Sequence, residues 1–296
     1  MNAYFVMVRR EYWEHRALWV PPLILAGLYV LLCLIPGVDV SGIHIDSSVL
    51  GKLPSADSTS FASAQMLFTV ILFGLETIVA FYYLSDCLYA ERKDRSILFW
   101  KSLPVSDAAT VLTKLAVGVL VLPLGVYLVS VVSNLLAFGI LYARFHSSVV
   151  LGPFIHWDPA LWLRLNVYLI LDVLVMALWY APIAAYQLLI SAWAKNSVFL
   201  WTLLPPLVLV FGEKFVFNTW NIGGYLVYRL GTGLNTFNTS TAGMSTHGTG
   251  PLSLGGKFSQ FNLLPVLGTA DMWIGVAIAV VLLFVTIRIR RYRDDS

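Results

Sequence analysis

Two acidic residues, Glu76 and Asp172, stand inside long apolar stretches, "VILFGLETIVAFYYL" and "VYLILDVLVMALW". An ionised side chain facing lipid at such a position costs about 2.5 to 3.5 kcal/mol on insertion scales, so each must face protein, water or a ligand. Two chemistries fit carboxyl groups placed there. They can line a transport path and bind a cationic substrate or ion, with Asn134 as a third candidate path residue. Alternatively, each is neutral or paired with polar side chains such as that same Asn134, and so holds helices together.

Motifs for other chemistry are missing. Gly255, Gly256 and Lys257 are followed by Phe258, so the phosphate-cradling GxxxxGK[ST] is not formed and the chain has no such route to ATP. There is no HExxH and no GxSxG, and His15, His44, His146, His156 and His247 are scattered along the sequence. Cys33 and Cys87 fall within or at the edge of different apolar runs, on opposite membrane faces in the topology below, which argues against a disulfide between them. No catalytic residue, metal site or cofactor of the chain's own is therefore expected.

The second group of interest is "ERKDRSILFWKSLPVSD", Glu91 to Asp107. Glu91, Arg92, Lys93, Asp94 and Arg95 are charged, Leu98, Phe99 and Trp100 form an apolar knob, and Pro104 disfavours helix at the residue before it. A short helix over 89–103 is expected, projecting its charges into water or onto a partner. Ser106 can then cap the next helix, with Asp107 favourable to its N-terminal dipole. Charges of this kind supply orientation and specificity in an interface, and the apolar knob supplies contact area.

These residues are positioned by a membrane-spanning framework. Of 296 residues, 58% are hydrophobic and only 12% charged, and mean hydropathy is +0.79. A soluble domain of this size carries charge over its whole surface, whereas here the charges cluster between apolar runs. The net charge of +3 accompanies no basic, base-stacking pattern, so nucleic acid is not an expected partner. Six runs reach the roughly 20 residues that a bilayer requires: Ala17 to Ile35, Phe61 to Leu84, Leu115 to Ala143, Leu165 to Ala194, Ser197 to Phe217, and Leu264 to Ile287. Glu213, Lys214 and Asp271 interrupt the last two.

Thirteen of the nineteen Lys and Arg residues fall on one side if the N-terminus is cytoplasmic, which predicts both termini inside. Residues 1–16 alternate aromatic and charged positions at helical spacing. They read either as an interfacial helix on the inner leaflet or as an extension of the first span, with a break at Pro21 and Pro22. The apolar run behind them is too long for a signal peptide and is read as retained. Segment 218–263 is the longest external one. Its apolar flanks suit short re-entrant helices, and its Gly/Thr-rich middle, 231–257, reads as a loop. No repeat and no soluble domain is visible, so residues 1–296 form one transmembrane domain of an all-α polytopic membrane protein.

The segment after the second run resembles the coupling helix in permeases of type 2 ATP-binding-cassette exporters, the antibiotic, sodium and polysaccharide class. The match lies at Glu91, Arg92, Ser102, Leu103, Pro104, Val105 and Ser106. The basic N-terminus, the tight "SAWAKNS" turn at Ser191 to Ser197 and the external segment before the last run are similar to that family in arrangement. The resemblance implies a transmembrane subunit in a bacterial inner membrane, surrounded by lipid and paired with a second copy or a paralogue. Two separate ATPase subunits would bind ATP and magnesium and seat on Glu91 to Trp100. A secondary transporter or ion channel is the alternative, and an intramembrane enzyme a more distant one.

Overall fold

In the computed structural model, residues 3–35, 59–94, 106–146, 157–238 and 267–292 are described. Every regular element among them is helical. They are α1 (Ala3–Glu14), α2 (Val20–Leu34), α3 (Thr59–Lys93), α4 (Asp107–Ala116), α5 (Leu122–Phe145), α6 (Pro159–Trp193), α7 (Val198–Phe217), α8 (Asn221–Asn238) and α9 (Ala270–Tyr292). A 3-10 turn at Arg16–Trp19 leads into α2, and a π turn at Val117–Val121 joins α4 to α5.

Six helical stretches are long and apolar enough to cross a bilayer: Arg16–Leu34, Gln65–Lys93, Asp107–Phe145, Trp162–Trp193, Val198–Phe217 and Ala270–Tyr292. Each overlaps one of the six expected runs. Several extend beyond them, because hydropathy marks the hydrocarbon core while the helix continues past it. At 35 residues, α3 is about 52 Å long at 1.5 Å per residue, well beyond a hydrocarbon core of roughly 30 Å. Its last turns therefore carry Asp86, Glu91, Arg92 and Lys93 as part of the second span. The separate helix expected from residue 89 onward does not begin there.

The chain entry also differs from expectation. α1 ends at Glu14, and the break falls at His15 to Trp19, not at the prolines. Pro21 and Pro22 sit in the first turn of α2, where no intrahelical N–H bond is lost. α1 is thus a helix of its own, folded against α4. Arg144 of α5 donates to the Cys33 and Ile35 carbonyls and so closes the far end of α2. Cys33 and Cys87 are both free thiols.

The cores lie between helices, and the outer faces are left to lipid. One core joins Tyr83, Leu84, Cys87 and Leu88 of α3 to Val111, Val117 and Leu122 of the third span and to Ala184, Leu188 and Ala192 of α6. A second packs Ala26, Phe68, Leu72 and Val126. A third, Val175, Met176, Trp179 and Met272, joins α6 to α9. On α2, Leu23, Ile24, Leu28, Leu31 and Leu32 are all exposed, a face that only an apolar solvent tolerates.

Within the 218–263 segment, α8 runs from Asn221 to Asn238, so the first eight residues of the Gly/Thr-rich stretch are helical and not loop. Tertiary contacts hold that helix. Both carboxylate oxygens of Glu213 receive its first N–H groups, from Asn221 at 2.8 Å and Ile222 at 2.7 Å. Further along, Trp179 Nε1 and the Tyr180 hydroxyl donate to the carbonyls of Arg229 and Leu230. The remainder of the external segment, 239–266, lies outside the described residues.

Candidate functional site

Two places gather polar chemistry, and α3 runs through both. At the end of the bundle where α1 and α9 both pack on α4, charges from four elements converge. Lys114, fully buried on α4, donates to Glu11 Oε1 of α1 at 2.9 Å and lies 3.1 Å from Glu91 Oε1 of α3. Arg290 of α9 bonds Glu91 Oε2 at 2.8 Å and Asp107 Oδ1 at 3.2 Å. Arg10 of α1 reaches Glu91 Oε1 at 3.4 Å, and the Tyr83 hydroxyl donates to Glu11 Oε2 at 2.9 Å. The buried carboxylates Glu11 and Glu91 and the half-buried Asp107 thus meet Arg10, Lys114 and Arg290, with Arg10 held more closely by the exposed Glu14, at 2.7 Å. Pairing of this kind is what burial demands, since an unpaired ion in low dielectric is costly. His15 borders the cluster; burial pushes its imidazole below its ordinary range, against an opposing pull from Glu11.

The expected ATPase-facing residues divide accordingly. Glu91 does not project into water: it is 6% exposed and faces inward, the centre of the ion cluster. Arg92 also turns inward, its guanidinium donating to the Ser191 and Ala194 carbonyls at 2.6 and 2.7 Å and so closing the C-terminal end of α6. The reason in both cases is that α3 continues past the bilayer core against α4, α6 and α9, whose buried groups need partners. Lys93 and Asp94 are exposed at the end of α3. Arg95, Leu98, Phe99, Trp100 and Pro104 lie outside the described residues. Ser106 caps α4 as expected, its hydroxyl accepting from the Ala109 N–H at 3.1 Å.

The second place is a cavity of about 380 Å³ between α3 and α6, floored by the π turn. Glu76 and Asp172 both line it, so the two intramembrane carboxyl groups share one chamber. Phe73, Phe81, Met176, Tyr180 and Ile183 are among its apolar and aromatic lining, with Thr77 and Gln187 as further polar groups. Glu76 is 6% exposed, and among the described residues its Oε1 has no hydrogen-bond partner. Asp172 is 2% exposed. The π turn has a local cause: Pro123 cannot donate to the Val119 carbonyl and would crowd it in a regular α-turn, so the helix widens there. Gly118, within that turn, lies directly over the Leu84 side chain.

Asn134 does not join this chamber. Its amide donates to Thr69 Oγ1 at 3.2 Å and Ser130 Oγ at 3.3 Å, in a polar seam between α3 and α5. It is thus set apart from Glu76 and Asp172, the other two candidate path residues, which line the chamber.

Sequence reasoning missed Glu11, Lys114 and Arg290, which appeared only as members of the positive-inside count or of a polar helix face. It also missed Arg229, which is 3% exposed and bonds the Trp179 carbonyl, the Tyr225 hydroxyl and the Asp271 carbonyl while lying over Gly275. The available signal was positional: each of these charges stands within or just beside an apolar run.

Fold and composition define a multi-pass α-helical membrane protein. No protein-family model matches the chain, and no curated protein matches it.

Proposed function

We propose that the chain is the transmembrane subunit of an ATP-driven exporter of the ATP-binding-cassette type. In this reading two six-span protomers, identical or paralogous, form the path, and two separate ATPase subunits bind ATP and magnesium. The observation that carries it is the clamp on segment 95–105. Glu91, just before that segment, and Asp107, just after it, are bonded to the same Arg290 guanidinium. A partner moving this segment would move the ends of the second, third and sixth spans together, and α1 with them through Lys114 and Glu11. A subunit without its own nucleotide site needs such a handle, and alternating access needs helices that move as bodies. The resemblance of "ERKDRSILFWKSLPVSD" to coupling segments points the same way.

The test is affinity purification of the chain from its native membrane. An ATPase should copurify and hydrolyse ATP, and Phe99→Ala or Trp100→Ala should release it, as interface aromatics commonly contribute about 2 kcal/mol or more. Full association of both variants would overturn this contact. The proposed setting is a bacterial cytoplasmic membrane with both termini inside. A cysteine at Ser106 or Ser296 should then resist labelling from outside while one at Ser55 or Thr246 reacts.

The Glu76 chamber favours a second reading, a secondary transporter, because buried carboxyl groups in such chambers carry coupling ions. Uptake into liposomes containing this chain alone, driven by an ion gradient without ATP, would replace the exporter reading with this one.

A further inference from the structure

We propose that the chamber between α3 and α6 binds a hydrophobic organic cation. Glu76 is its anionic anchor, and Phe73, Phe81 and Tyr180 face the ligand's body. At about 380 Å³ the chamber is the size of a small-molecule site. Its wall is apolar and aromatic in the main, which suits an organic body better than a bare hard cation: such an ion wants oxygen ligands on all sides, whereas the oxygen-bearing lining side chains Glu76, Asp172, Thr77, Tyr180 and Gln187 stand among fifteen other, mostly apolar, lining residues. A neutral lipid chain fits the wall but leaves Glu76 Oε1, buried and without a hydrogen-bond partner among the described residues, unanswered. A cation carried on an apolar frame answers both. Its charge faces the carboxyl group, its body meets aliphatic walls, and aromatic faces attract it through their quadrupoles.

The chamber lies within a single chain, so binding needs no ATPase. That the bound cation is the exporter's cargo rests on the exporter reading; the binding does not.

The experiment uses the full chain in neutral-lipid nanodiscs with radiolabelled tetraphenylphosphonium as probe. Saturable binding is expected, displaced by unlabelled tetraphenylphosphonium but not by tetraphenylborate, which has the same shape and opposite charge. Glu76→Gln should weaken binding at least tenfold, and Ala177→Phe, which fills the chamber and leaves both carboxyl groups, should abolish it. Equal displacement by tetraphenylborate, a measurement on the unmodified protein, would show an apolar groove without charge selection and overturn the proposal. So would wild-type affinity in a monodisperse Glu76→Gln sample. An ATPase that copurifies with a chain failing this test leaves the exporter reading standing, and binding without an ATPase leaves this inference standing alone.

Discussion

Glu76 and Glu91 lie on the same helix, α3, and each is 6% exposed, yet their surroundings are opposite. Glu91 is met by Lys114, Arg290 and Arg10, from three other elements. Glu76 meets a mostly apolar and aromatic chamber, and its Oε1 accepts from nothing among the described residues. Burial alone therefore does not tell the two apart. The opposite charges around Glu91 fix where helices sit, whereas an acidic side chain in a mostly apolar wall is what the proposed cation site requires of Glu76.

The comparison breaks first at Lys114. Lys114→Met removes the cation between Glu11 and Glu91 and leaves both buried, so a loss of about 3 to 5 kcal/mol is expected, the usual result of deleting one partner of a buried pair. Thermal unfolding in detergent should show it as a large fall in Tm or as failure to recover monodisperse protein. Retained stability would mean that the cluster is wet and weak.

Gly275→Ala comes next, because a methyl group there collides with the Arg229 guanidinium lying over it. Overpacking of this kind typically costs 1 to 3 kcal/mol. The effect should be reduced in an Arg229→Ala background, where the obstruction is gone, and a double-mutant cycle measures that coupling.

A smaller change is expected at Glu213. Glu213→Ala removes the acceptor for the first N–H groups of α8, which loosens the start of that helix as the loss of a cap does. Faster hydrogen exchange confined to Asn221 to Arg229 would report it.

Glu76→Gln sharpens the contrast by doing almost nothing to stability. It keeps shape and replaces a buried carboxyl group that no ion pair among the described residues holds, so Tm should hold or rise slightly while tetraphenylphosphonium binding falls. A loss like that of Lys114→Met would place Glu76 among the structural charges. The smallest effect belongs to His15. Its imidazole titrates below its ordinary value of 6.5 because burial disfavours the charged form. The unfolded chain then binds the proton more tightly, so this contribution is full above that value and is lost as pH falls through it. His15→Gln should flatten that part of the Tm profile between pH 5 and 7 without changing it at pH 8.

What the sequence determined by itself was local. Six apolar runs named six spans because hydropathy needs only neighbours in the chain, and Ser106 announced the start of α4 because a cap is made three residues away. Glu76 and Asp172 were legible as exceptional, since a charge in an apolar run stands out without any structure. That they share one chamber was decided by the packing of α3 on α6, and that Asn134 is excluded from it by the pairing of α3 with α5. The ion cluster was decided the same way. Arg290 and Glu91 are 199 residues apart, and Lys114 and Glu11 are 103 apart. A charge at the end of an apolar run looks the same whether it meets water or turns inward. Only the helices packed around it supply the opposite charge that makes turning inward the lower free energy.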